Sequence, residues 1–151
     1  MQTASSNQNQ TRKAALGTLA AAPSRALADL WDRWADKPDY ARVRGPEVGL
    51  VMVRGRAGGG GAPFNLGEAS VSRASVRIAS GQVGHGYCLG RDLAKAEVIA
   101  IIDALWQREA AAVEAEIIAP LRELTRVSGL KKQAEAAATK VDFFTMVRGD
   151  N

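Results

Sequence analysis

Seven arginines and no lysine lie between Ala41 and Arg91, at positions 42, 44, 54, 56, 73, 77 and 91, against only Glu47 and Glu68. This segment carries +5 while the whole chain carries +4, so the basic excess sits in the middle third. Arginine presents a planar fork that suits bidentate recognition of carboxylate or phosphate. The pairs 42/44, 54/56 and 73/77 are each an even number of residues apart, which places both side chains on one face of a strand. Arg73, Arg77 and the only histidine, His85, are the candidates for an anion site. The same pattern reads equally well as ordinary solvated sheet charge, where ion pairs contribute only ~0–1 kcal/mol.

His85 stands in Val83-Gly84-His85-Gly86-Tyr87. A histidine can serve as a general base, but no nucleophile or carboxylate is close in sequence. A hydrogen-bonded structural histidine is the stronger reading. The flanking glycines would let another backbone or a ligand come close. Cys88 falls on the opposite strand face from His85 and reads as a small packed residue. One histidine and one cysteine fit no standard metal-ligand spacing. Gly58-Gly59-Gly60-Gly61 offers backbone N–H groups but lacks the lysine and the following helix of a P-loop, so a flexible hairpin loop is expected there. No catalytic residue is assigned.

The elements that would position these groups form an α+β pattern. Met1–Gln10 is polar and without apolar periodicity, and is expected to be disordered. Residues 11–140 are expected to form one domain, in line with ~100–200 residues per domain. A basic pair, Arg12-Lys13, precedes an alanine-rich run to Ala22, which reads as a short first helix ended by Pro23 rather than a leader. Ser24 is placed to cap a second helix, with Leu27, Leu30, Trp31 and Trp34 on one face. Strands follow at Tyr40–Arg44, Val48–Arg56, Ala69–Ala79 and Gln82–Gly90, separated by turns at Gly45-Pro46-Glu47, the glycine loop and Ser80-Gly81. Their spacing predicts a four-stranded antiparallel meander. Asp92 is placed to cap a long helix with a wide apolar face formed by Val98, Ile99, Ile101, Ile102, Leu105 and Trp106. Pro120 is expected to break or kink it. A last helix, about Leu121–Lys140, is weakly amphipathic.

No run reaches the ~20 apolar residues that span a bilayer. A single cysteine excludes an internal disulfide and fits a reducing cytosol. The sequence therefore reads as a soluble cytoplasmic domain. Nucleic-acid binding through the basic sheet is the rival reading, but only Phe64 and Tyr87 are available there as stacking aromatics, fewer than single-strand binders use.

Residues 141–151 end the chain with Val141, Phe143, Phe144, Met146, Val147 and Arg148 close together, and two of the three phenylalanines are here. Burying such side chains contributes on the order of 1.5–3 kcal/mol each, against about 1–2 kcal/mol per ordered residue. A tail of this kind gains only by docking on a preformed surface, its own or a partner's.

Lys140–Asp150 resembles the C-terminus of PhnG, a subunit of the carbon–phosphorus lyase system. Gly49–Val51, the glycine loop, Ser72–Arg77, Leu89–Asp92, Asp103–Leu105 and Ile118–Leu121 follow in that family's order, so the likeness covers roughly residues 40–151. The resemblance implies a subunit of the core complex with PhnH-, PhnI- and PhnJ-like partners, to which a PhnK-like ATPase attaches. With PhnH, PhnI and PhnL, such subunits are required to transfer ribose triphosphate from MgATP to an alkylphosphonate, giving α-D-ribose 1-methylphosphonate 5-triphosphate. It implies that MgATP is a substrate of the complex, with no cofactor held by this chain. It also implies a supporting role, the base-displacing and radical steps belonging to other subunits. Val141, Phe143, Phe144, Met146, Val147 and Arg148 are expected to be partner-binding residues on the tail's composition, since the family pattern identifies the motif without assigning its contacts, and no nucleic acid or membrane is expected.

Overall fold

The computed structural model describes residues 2–138. In chain order these form helices α1 (Gln2–Ala21) and α2 (Ser24–Arg33), strands β1 (Tyr40–Arg56), β2 (Pro63–Ile78) and β3 (Val83–Leu89), and helices α3 (Leu93–Val113) and α4 (Ala119–Ala138). The fold is α+β, but the sheet has three strands in the order β1-β2-β3, all antiparallel, and not four. The two strands expected at Tyr40–Arg44 and Val48–Arg56 are one. Gly45-Pro46 makes an irregularity in β1, with register shifts between Arg42 and Arg44 and between Arg44 and Glu47. Proline is tolerated there because β1 is an edge strand, where a missing N–H need break no ladder bond.

The polar stretch up to Gln10, expected to be disordered, lies within α1. No glycine or proline interrupts residues 2–16, and Gln, Ala and Ser are adequate helix formers. Farther along, Ala15 and Leu19 are buried. The Lys95 ammonium donates to the carbonyls of Ala20 and Ala22 at 2.7 and 2.6 Å. This closes the negative end of α1 with a cation. The tail residues Val141, Phe143, Phe144, Met146, Val147 and Arg148 lie outside the described residues, so the fold as described ends at Ala138.

α3 lies on one face of the sheet. Ala96, Ile99, Ala100, Ile102, Ala104 and Leu105 pack with Ala74, Val76, Ile78 and Cys88 in one core that also takes in Leu27 and Trp34 of the α2 region. The glycines beside His85 serve this packing. A Cβ on Gly84 would overlap the backbone of Ala100 and Ala104, and one on Gly86 that of Ala96 and Ala100. The close neighbour that the glycines admit is α3. Asp92 caps that helix, accepting from the Lys95 N–H at 2.9 Å. Ser24, expected as a cap for α2, instead hydrogen-bonds the Asp92 carboxylate, which holds Asp92 below its ordinary pKa together with the bond from Lys95. Pro120 sits inside α4 without ending it. It has no N–H for the carbonyl four residues back, and the π-helical turn Glu114–Ile118 just before it absorbs the mismatch.

Candidate functional site

The hairpin β1–β2 runs well past β3. β3 pairs only with Val71–Arg77 of β2, whereas β1 pairs with β2 from Tyr40–Ile78 out to Arg56–Pro63. Leu50–Arg56 and Pro63–Ser70 therefore form a two-stranded arm, roughly 23–26 Å long at ~3.3 Å per residue. Gly58 and Gly59, at φ 58° and 77°, take the left-handed conformations its turn requires. The arm exposes large apolar side chains: Leu50 is 63% exposed, Leu66 62%, Met52 53% and Phe64 46%. Arg54 and Arg56 near its tip form no ion pair with any described residue.

The two outer edges of the sheet differ. At β3, the Asp103 carboxylate accepts the His85 N–H at 2.8 Å, and the Gln107 amide donates to the Val83 carbonyl at 2.8 Å. These α3 side chains occupy backbone groups that an added strand would need. No described strand lies on the outer edge of β1.

The sheet face away from α3 collects the predicted anion residues. Arg73 pairs across the ladder with Tyr87, Ser75 with His85, and Arg77 with Val83. Arg73, His85 and Arg77 thus share one exposed face in successive rows. His85 Nδ1 lies 2.8 Å from Ser75 Oγ. Arg73 donates to Glu47 at 2.6 Å, and Arg44 also reaches Glu47, at 2.9 Å. Arg77 has no such counter-charge among the described residues. The expected partnership of Arg42 with Arg44 fails, because the register shift between them puts Arg42 opposite Val76, on the α3 face. There Arg42 bonds Glu97 through two nitrogens, at 2.5 and 3.0 Å, and Tyr40 adds a third bond at 3.2 Å. Arg42, first, and Tyr40 hold the Glu97 carboxyl below its ordinary pKa.

Cys88 is buried, as its strand position implied, and burial raises its thiol pKa. Among the described residues no cluster of His, Cys, Asp or Glu could hold a metal ion. None of their helices is long and apolar enough to cross a membrane.

The arm was not foreseen. Its signal was present in Leu50-Val51-Met52-Val53, apolar at consecutive positions, which reads as a strand covered on both faces. Among the described residues neither a third strand nor a helix covers it.

A helix-backed sheet, a long apolar arm and a basic patch define a small α+β protein whose main exposed features are surfaces for other molecules. The chain belongs to the PhnG family: the family described as phosphonate metabolism protein PhnG matches residues 10–149. It is 54% identical over 145 residues to the alpha-D-ribose 1-methylphosphonate 5-triphosphate synthase subunit PhnG of Rhizobium meliloti (strain 1021), covering 93% of this chain and 90% of that relative.

Proposed function

We propose that this chain is a subunit of an alpha-D-ribose 1-methylphosphonate 5-triphosphate synthase in phosphonate metabolism, working by assembly with other chains in the cytoplasm. The relative's role and the identity over nearly the whole chain support the subunit reading. The observation that carries the mode of action is the β1–β2 arm. A two-stranded ribbon is marginal alone in water, and this one shows Leu50, Met52, Phe64 and Leu66 to solvent. Covering such side chains contributes on the order of 1 kcal/mol or more apiece. Arg54 and Arg56, which form no ion pair with any described residue, suit a partner that is apolar along the arm and acidic near its tip. PhnI-, PhnH- and PhnJ-like subunits are the expected partners, with a PhnK-like ATPase attaching, MgATP as a substrate of the assembly, and no cofactor held by this chain. Val141, Phe143, Phe144, Met146, Val147 and Arg148 form a second anchor in this reading, supported by their composition.

Co-expression with those partners tests it. Leu50→Ser with Leu66→Ser changes exposed positions, so the chain alone should keep its unfolding midpoint while co-purification falls severalfold. Phe143→Ala with Phe144→Ala should do the same. Full complex yield from the arm variant would remove the arm from the interface, and full yield from the tail variant would remove the tail.

A further inference from the structure

The sheet has outer edges on β3, on β2 beyond Val71, and on β1, and they are not equally open. On β3, Asp103 accepts the His85 N–H and Gln107 donates to the Val83 carbonyl. On β2, the Gly90 N–H donates to the Ser70 carbonyl at 2.8 Å. Leu66 is an extra residue there: Val53 pairs with Gly67 and Arg54 with Asn65, so β2 bulges between them. Pro63, at the start of β2, has no N–H to offer. Bulges and prolines of this kind spoil an edge for pairing.

β1 carries such protection over only part of its length. Its own register shifts lie between Arg42 and Glu47, around Pro46. From Glu47, opposite Arg73, to Val53, opposite Gly67, the residues advance one for one, and the next irregularity lies on β2. Val48-Gly49-Leu50-Val51-Met52-Val53 contains no proline and no charge. In an antiparallel ladder, alternate residues turn both N–H and C=O away from the partner strand. No described strand takes those groups of β1. A regular apolar edge without protective devices is a template for another strand.

The charges select the occupant. β1 carries Arg42, Arg44, Arg54 and Arg56 against Glu47 alone. Glu47 is already engaged by Arg44 and Arg73, at 2.9 and 2.6 Å. A second copy of this chain would bring the same arginine excess to the seam, and like charges facing each other across strands are destabilising. Arg54 and Arg56 form no ion pair with any described residue. They favour a strand that places carboxylates beside them.

We propose that the Glu47–Arg56 edge of β1 accepts an extended segment of a partner chain as an added strand, apolar at alternate positions along Val48–Val53 and acidic where it meets Arg54 and Arg56. The inference rests on the arm's docking role proposed above and specifies its form. Main-chain hydrogen bonds supply affinity, and the side chains on either face supply selection.

Hydrogen exchange and proline substitution test it, in the full chain and in its complex with the co-expressed partner subunits. Exchange over the peptide Val48–Arg56 should slow about tenfold or more on assembly. Of Val51 and Met52, adjacent in a regular strand, one directs its N–H to β2 and the other outward. Val51→Pro and Met52→Pro should therefore divide. One lowers the melting temperature of the chain alone; the other leaves it unchanged and cuts co-purification severalfold. Alanine at that second position, Val51→Ala or Met52→Ala, keeps the N–H and should assemble at close to the wild-type yield. Full assembly of the melt-neutral proline variant, or an equal loss in its alanine counterpart, overturns strand addition. So does exchange that does not slow, which decides alone if neither proline variant folds. Exchange already slow in the chain alone gives the edge to residues 139–151 or, with a dimeric mass, to a second copy, and overturns it too. Lost assembly in Leu50→Ser with Leu66→Ser beside a fully assembling proline variant keeps the arm as an interface through side chains only. Full assembly of that leucine variant removes the arm from the interface, and this inference with it.

Discussion

Arg12 of α1 holds the buried carboxylate of Asp103 in α3 through two parallel hydrogen bonds of 2.7 Å, across 91 positions of sequence. The Asp103 side chain is 1% exposed and that of Arg12 30%. The same carboxylate accepts the His85 N–H. One ion pair therefore joins the first helix to the central helix and helps close the free edge of β3. The hydrogen bond to Asp103 also holds the Arg12 guanidinium above its ordinary pKa.

Removing one partner should cost more than removing both. Arg12→Met leaves an unpaired carboxylate in the core, and breaking fully buried pairs in this way costs 3–5 kcal/mol. With Arg12 part-exposed, about 2–3 kcal/mol is expected. Arg12→Met with Asp103→Leu should recover much of that loss, although the His85 N–H then lacks its acceptor. Urea unfolding of the two single variants and the double variant measures the coupling. Simple additivity would show that the pair has no structural role.

Gly84 and Gly86 should not tolerate a methyl group. Each would drive a Cβ into the α3 backbone, through Ala100 at Gly84 and Ala96 at Gly86. Overpacking of this kind costs about 1–3 kcal/mol, and a backbone neighbour has less freedom to give than a side chain. Gly45→Ala, with nothing within 4 Å, is the matched control. Thermal melts should show a drop of several degrees for the first two and almost none for the third.

The fold was legible where a pattern depends on a few adjacent residues. Asp92 as the cap of α3, the Ser80-Gly81 turn with Gly81 at φ 99°, and the apolar face of α3 could each be read locally. Arg73, Arg77 and His85 share a face because their strands contain no bulge between those positions. Arg42 and Arg44 do not, because the register shift between them reverses the alternation, and sequence alone does not reveal such an irregularity inside a strand. The Arg12–Asp103 bond depends on how α1 settles against α3, which no short window of residues encodes. The β1–β2 arm was hidden for another reason: its consecutive apolar residues look like a buried strand, and the cover they expect is not part of this chain's described fold.

Acid should weaken the protein from the ordinary carboxylate range downward. Asp92 is held below its usual 3.8, first by the Ser24 hydroxyl and then by the Lys95 N–H. Glu97 is held below its usual 4.5, chiefly by Arg42. A carboxyl with a lower pKa in the folded state binds fewer protons there than in the unfolded chain. Its stabilising contribution is therefore complete above the unfolded pKa and is lost as pH falls through the folded one. Urea midpoints measured from pH 7 to pH 3 should fall below about pH 4.5. Asp92→Asn with Glu97→Gln should flatten that fall, and an unchanged slope would assign the acid response to other groups.

The basic sheet face gives a graded prediction, because its two arginines differ in what they already hold. Arg73 is engaged by Glu47 at 2.6 Å, and a further anion must compete with that carboxylate. Arg77 is exposed and has no such partner among the described residues, two residues along the strand from the Ser75–His85 pair. If this face contributes to binding the triphosphate or phosphonate in the assembled synthase, Arg77→Ala should raise the apparent KM for ATP about tenfold, the loss of a charge-assisted hydrogen bond. Arg73→Ala should raise it less, and Glu47→Gln, which frees Arg73, should lower it. His85→Ala should have a smaller effect than Arg77→Ala, because its Nδ1 already lies 2.8 Å from Ser75 Oγ. Steady-state kinetics of the reconstituted complex decide the matter: equal effects at Arg73 and Arg77, or none at either, would leave this face as solvated charge.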